Sequence, residues 1–166
     1  MPIPDLVARL HAAADRVGAV RPAVEAGAPW PLSGNFGTEP EASWGPPETL
    51  AHVAEMLPFW LGEIERIVAG GRTPAPFGRV ATDQLRLLIL ERDRSLPPRE
   101  LFDRIATGAE RTERRLRTLT AAEAGRVGAH PRAGEMTVEA VAERFIVTHL
   151  EEHAEQLEAV VAVRDG

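Results

Sequence analysis

The chain of 166 residues contains no cysteine. That excludes disulfides, thiolate metal ligands and a cysteine nucleophile. Any metal has to be held by nitrogen and oxygen, and a reaction with a thiol has to receive that thiol as a separate molecule. Lysine is also absent: all 19 basic residues are arginine, so no Schiff base can form on this chain. With so much alanine, this reads as the bias of a GC-rich genome. Tyrosine is missing, which removes one common catalytic acid. No apolar run approaches the ~18 residues needed to cross a bilayer. Met1–Leu10 carries Asp5 and Arg9 and has no hydrophobic signal core, so a cytoplasmic, unprocessed protein without membrane contact is expected. The net charge of -6 argues against nucleic-acid binding through phosphate neutralisation.

What remains is an ordinary globular composition, 44% apolar and 27% charged, with length enough for one domain over 1–166. Helical spacing dominates. Leu6, Leu10, Ala13, Val17 and Val20 predict a helix over Asp5–Ala26, with Pro22 kinking or ending it. Gly27–Trp44 reads as a long loop. A second helix begins at Pro46 or Pro47, where a missing N–H costs nothing. Leu50, Val53, Leu57, Trp60, Leu61, Ile64 and Ile67 form its stripe, Pro58 is expected to bend it, and Gly70 and Gly71 stop it. Gly70–Gly78 is a further loop. Thr82–Arg92 predicts a shorter helix with Leu85, Leu88 and Ile89 inward. Pro98–Leu119 is the third long helix, Gly125–Glu135 is turn-rich, and the fourth runs from a Thr137 N-cap to about Val163. No stretch shows sustained strand alternation. The expected fold is all-α: four long helices around one core, with an extra short helix and long loops.

The last helix carries the informative pattern. With Val138, Val141, Phe145 and Val160 set inward, His149, Glu152, His153 and Gln156 fall on or beside the same face. Polar groups there are costly unless something satisfies them. His149 and His153 lie four residues apart, about 6 Å along a helix, so both imidazoles can converge on one ion. The pair alone fits a half-exposed surface pair equally well, and Glu152 and Gln156 can hydrogen-bond across a bundle without any ion. His52, at the margin of the second stripe, adds a third nitrogen. Glu55, Glu152 and Gln156 are candidates for acid–base or supporting roles. The alternative for each is a solvated or inter-helix hydrogen-bonding group. His130 reads as a loop residue, His11 as a surface residue, and Trp30 and Trp60 as core filling or pocket walls.

Three stretches carry a family resemblance: SWGPPETLAHVAEMLPFW at 43–60, GAHPRAGEMTVEAVAERF at 128–145 and THLEEHAEQLEAV at 148–160. Together they resemble the DinB-like superfamily of four-helix proteins from about Trp44 to Val161. The family's early histidine matches His52, and its closing H-x-x-x-H pair matches His149 and His153. The resemblance implies a divalent ion on these three residues, nickel or zinc before others, and a homodimer. It further implies a small-molecule substrate handled by thiol-dependent S-transfer, with a low-molecular-weight thiol as co-substrate, or by hydrolysis. The family pattern does not choose between these. A non-catalytic metal-binding stress or detoxification protein and a plain structural bundle remain as alternatives.

Overall fold

The computed structural model describes residues 1–34, 36–37, 40–71 and 74–165. Parts of the expected loops at 27–44 and 70–78 lie outside the described residues. The long elements are helix α1 (Ile3–Ala19), α3 (Pro46–Ala69), α5 (Pro98–Thr118) and a last helix ending at Asp165. α1 and α3 each pack against both α5 and α8 (His149–Asp165), which closes a four-helix bundle around one core.

α1 buries Leu6, Leu10, Ala13 and Val17 at helical spacing, as expected. It ends at Ala19, short of the expected Ala26. A separate helix, α2 (Arg21–Ala26), follows with Pro22 in its first turn, where the ring is tolerated. Ion pairs Arg9–Glu151 and Arg16–Glu158 tie α1 to α8 along their outer edges.

α3 starts at Pro46 and runs unbroken through Pro58 to Ala69, with Gly70 ending it. Its buried face is wider than its apolar stripe. Every residue from Glu48 to Ala54 is buried, because the chain before the helix packs over the side that the bundle leaves open. His52 is therefore only 3% exposed, not marginal. Leu61, expected inward, is half-buried and lines an external groove against α5.

The short helix α4 (Gln84–Asp93) begins on Asp83, whose carboxylate accepts the Arg86 N–H at 2.9 Å. Its orientation corrects the expectation. Leu85 and Leu88 are 65% and 66% exposed, while Arg86, Leu90 and Asp93 face inward. The apolar pattern misleads here because the inner neighbours of α4 are polar. Glu41 and the Ala81 carbonyl accept from Arg86, so burying a guanidinium satisfies more groups than burying leucine.

The turn-rich segment before the last helix forms strands. Val127–His130 (β2) pairs antiparallel with Gly134–Thr137 (β3), and Ala75–Pro76 (β1) adds in parallel on the other side of β2. These strands are too short for an alternating pattern to register. Gly134 closes the hairpin with φ +75°, a conformation that residues with a Cβ avoid. α6 (Ala121–Ala124) is one turn held by a Thr120–Glu123 capping box.

Thr137 caps α7 (Val138–Val141) by accepting the Ala140 N–H at 3.1 Å. Removing that acceptor with Thr137→Ala is expected to cost about 1 kcal/mol in denaturant unfolding, because a first-turn N–H loses its partner. From Ala142 to Thr148 the helix widens into π geometry before α8 resumes at His149. The wider turn resets the phase. The inward residues become Ile146, Val147, Leu150, His153, Ala154 and Leu157, while Val160 is only half-buried. A uniform α-helical wheel cannot show this. Among the described residues no helix is long and apolar enough to cross a membrane.

Candidate metal centre

The side chains that meet inside the bundle come from three elements. His52 lies in the second turn of α3. His149 and His153 occupy the first two turns of α8. Glu41 comes from a single 3-10 turn, Glu41–Ser43, just before α3. One ligand atom from each of the four lies within 4.8 Å of the others, a group that can hold a metal ion. Glu41 is the residue that sequence reasoning missed. It sits in a segment with no periodicity, and a lone glutamate in a loop carries no signal.

The geometry is tight. His52 Nε2 stands 2.9 Å from His149 Nε2, and His153 Nε2 stands 3.2 Å from the same atom. A Glu41 carboxylate oxygen lies 3.5 Å from His149 Nε2, 3.6 Å from His52 Nε2 and 3.9 Å from His153 Nε2. In a tetrahedral zinc site with Zn–N near 2.0–2.1 Å, ligand atoms stand about 3.3 Å apart. The donor set, three imidazole nitrogens and one carboxylate, suits zinc, nickel and similar divalent ions.

The hydrogen bonds around the rings fix their tautomers. The Gln156 amide donates to the carbonyls of Glu41 and Trp44 at 2.8 and 3.0 Å, so its oxygen is what faces His153 Nδ1 at 2.9 Å. Nδ1 of His153 therefore carries the proton. His149 Nδ1 donates to Glu152 at 3.3 Å. Both rings are left with bare Nε2 lone pairs pointing at each other across 3.2 Å, a repulsive contact that a cation relieves. His52 differs. Its Nδ1 faces the donor Nη2 of Arg86 at 3.4 Å, which leaves the proton on Nε2 and directed at His149. Accepting an ion at that nitrogen requires the ring proton to move to Nδ1 and Arg86 to turn aside.

Burial, then the neighbouring rings and guanidiniums, push the His52 imidazole well below its ordinary value. Burial and the adjacent His149 bring His153 down to about 4. Both rings are thus uncharged at neutral pH, and binding an ion there displaces little acid.

The other expected residues fall around this core. Glu152 is exposed and touches the cluster only through His149. Glu55 lies outside the cluster: both its oxygens accept from Arg79 at 2.5 Å, and Arg79 in turn stacks on Phe59, 3.6 Å from the ring centre. Trp60 is 8% exposed, so it fills core, and it also walls a cavity with Phe145, stacked 4.3 Å away. That cavity, about 170 Å³, adjoins His52, His149, Glu41, Arg79 and Arg86. His130 is no free loop residue. It ends β2, is 8% exposed, and stacks under Phe145, with Nδ1 accepting the N–H groups of Arg132 and Ala133. Trp30 binds the Val24 carbonyl, away from the cluster, and His11 lies on the surface beside Asp15 and Glu113.

A family model described as the DinB superfamily matches residues 3–157. The chain belongs to the DinB superfamily. The match reaches back through α1, further than the stretches that carry the resemblance. No curated protein matches the chain. Metal binding is a property of the DinB superfamily, and the three histidines that the family pattern selects are the three that the bundle brings together.

Proposed function

We propose that this DinB-superfamily chain is a divalent-metal-dependent enzyme acting on a small molecule, by thiol S-transfer or by hydrolysis. His52, His149 and His153 would hold the ion. The observation that carries this reading is the convergence of three imidazole nitrogens and the Glu41 carboxylate within 4.8 Å of one another, with His52, His149 and Glu41 lining a cavity.

A divalent ion held there lowers the pKa of a bound water or thiol, which makes a nucleophile available at neutral pH. The chain's own residues supply position. Gln156 and Glu152 orient the two imidazoles of α8. Glu55 holds Arg79, and Arg86 holds Glu41. In this reading Glu55 and Glu152 are positioning residues, each acting through another side chain. The cavity of about 170 Å³ admits a small electrophile while a larger thiol reaches the ion from outside.

A second reading is favoured by Glu41. If its carboxylate leaves Arg86 and joins the three nitrogens, four protein ligands close the sphere, as in structural and storage sites. Glu41→Gln separates the two. A closed site loses affinity for the ion, whereas an open site keeps it.

The direct test is metal analysis of protein purified without chelators, followed by assay of the zinc- and nickel-loaded forms with mycothiol, bacillithiol and glutathione against small electrophiles and esters. About one equivalent of ion and turnover in one of these assays are expected. Less than about a tenth of an equivalent, with no uptake on adding zinc or nickel, would sink the metal centre. Full occupancy with no turnover in any assay would favour the closed reading.

A further inference from the structure

α4 leaves Leu85 and Leu88 in solvent. Next to them Ile89 lines an external groove of about 1190 Å³ between α3 and α5, which shares no lining residue with the metal cavity. Pro58, Phe59, Leu61 and Gly62 form its α3 side, and one face of α5 forms the other. A Cβ on Gly62 would meet nothing within 4 Å, so the groove is open there. Contiguous exposed apolar surface of this kind marks an interaction site.

The charges along the groove specify the occupant. At the α4 end Asp93, Glu100 and Asp103 outnumber Arg104, and at the far end Arg111, Arg114 and Arg115 outnumber Glu65. An anion or a cation alone would match only one end. On α5 the order is antisymmetric. With 3.6 residues per turn, Glu100, Asp103, Arg111 and Arg114 all lie within about 40° of Thr107 around the helix axis. Asp103 and Arg111 stand four residues either side of Thr107, and Glu100 and Arg114 stand seven either side. Reversing the helix about Thr107 therefore exchanges acid for base at both distances. A face with that property complements its own copy across a two-fold axis, because residue i then meets j and j meets i.

We propose that a second copy of this chain docks on this groove, its α5 antiparallel to the first and crossing it at Thr107. Asp103 of each copy then meets Arg111 of the other. Arg111 is exposed and has no partner among the described residues. The Asp103 side chain is 67% exposed even with Arg21 bound, which leaves room for a second guanidinium. Thr107 and Gly108 are small, so the two helices can approach to the usual interaxial distance of about 8–10 Å. The same axis carries α4 of the second copy to the end of the groove where Leu61 and Gly62 lie, beside the Glu65–Arg115 ion pair, and this covers Leu88. No histidine takes part, so the docking stands or falls apart from the metal centre.

Sedimentation velocity on chelator-treated protein tests this, with no ion present to bridge two chains. At about 100 µM, well above a micromolar Kd, the wild type should sediment as a dimer of the 18.0 kDa chain. Asp103→Arg and Arg111→Asp each turn two symmetry-related attractions into repulsions, and each should weaken the dimer about ten- to hundredfold, with the helical circular dichroism of the wild type. An equimolar mixture of these two variants should dimerise again, because the acidic pair of one faces the basic pair of the other. Leu88→Asp, at a side chain that the fold leaves in water, should weaken the dimer as well. A monomeric wild type would overturn the proposal and leave the groove to a different occupant. A dimer that survives all three substitutions would overturn the choice of surface. Loss in both charge variants without recovery in the mixture would overturn the antiparallel register. If Asp103→Arg fails to fold, Arg111→Asp and Leu88→Asp carry the test, since neither residue has a bond to lose within its own chain, and an undiminished dimer in both would overturn the proposal.

Discussion

His153→Ala is expected to leave a folded protein that no longer retains a divalent ion through gel filtration. The ring is 3% exposed, with Nε2 aimed at His149 and Nδ1 anchored on Gln156. Removing it deletes a ligand and leaves His149 with no partner nitrogen from its own helix. Gln156→Leu provides the contrast. It deletes no ligand nitrogen, removing only what holds the His153 ring and the backbone at Glu41 and Trp44, so it should cost about 10- to 100-fold in affinity, and His153→Ala should cost more. Thermal unfolding reads the same difference. With zinc at about a hundred times its Kd, the wild type gains about 2.7 kcal/mol from the bound ion, and the variant should gain nothing. If His153→Ala binds zinc as the wild type does, the ligand assignment is wrong.

Metal-free protein should lose stability as pH falls from about 7 to about 5, before most carboxylates titrate. The sign follows from the direction of the shift. An unfolded histidine takes its proton near pH 6.5, while His153 in the fold holds out to about 4. Between those values the unfolded chain binds more protons, so stability rises with pH, and above about 6.5 this contribution levels off. For His153 alone the loss between about pH 7 and about pH 5 is on the order of 2 kcal/mol. His52 and His130, lowered mainly by burial, act in the same direction. In a chain of this size that is a drop of about 4–8 °C in Tm. Bound zinc should steepen the fall, since protons then compete with the ion. Urea titrations of chelator-treated protein at the two pH values measure it. A flat profile would mean that these rings are not buried in the folded state.

The electrostatics and the π segment point to one design. The widened turn at Ala142–Thr148 lies directly before His149, and it shifts α8 so that His153 enters the core while Glu152 stays in solvent. Such segments cost regular hydrogen bonding and recur at functional sites. Here it presents two bare nitrogens to a third on α3. The loop before α3 then lays Glu41 over them, held by Gln156 through its backbone and by Arg86 through its carboxylate.

By itself the sequence determined the four-helix bundle, because Leu6, Leu50, Leu101 and Leu150 and their neighbours recur with a period that only helices present as one buried face. It also determined the limits of α3 and α5, through proline at their starts and glycine after α3, and the pairing of His149 with His153, which four-residue spacing fixes in any helix. Tertiary structure decided the rest. Residues 127–137 became a hairpin by pairing with each other and with Ala75–Pro76, contacts that no local period records. α4 turned Arg86 inward and Leu85 and Leu88 outward because its neighbours offered acceptors. His52 moved from margin to interior because a loop covered it. Glu41 joined the centre from a loop and left no trace in the sequence, since convergence in space is a property of the fold and spacing reports only what one element holds.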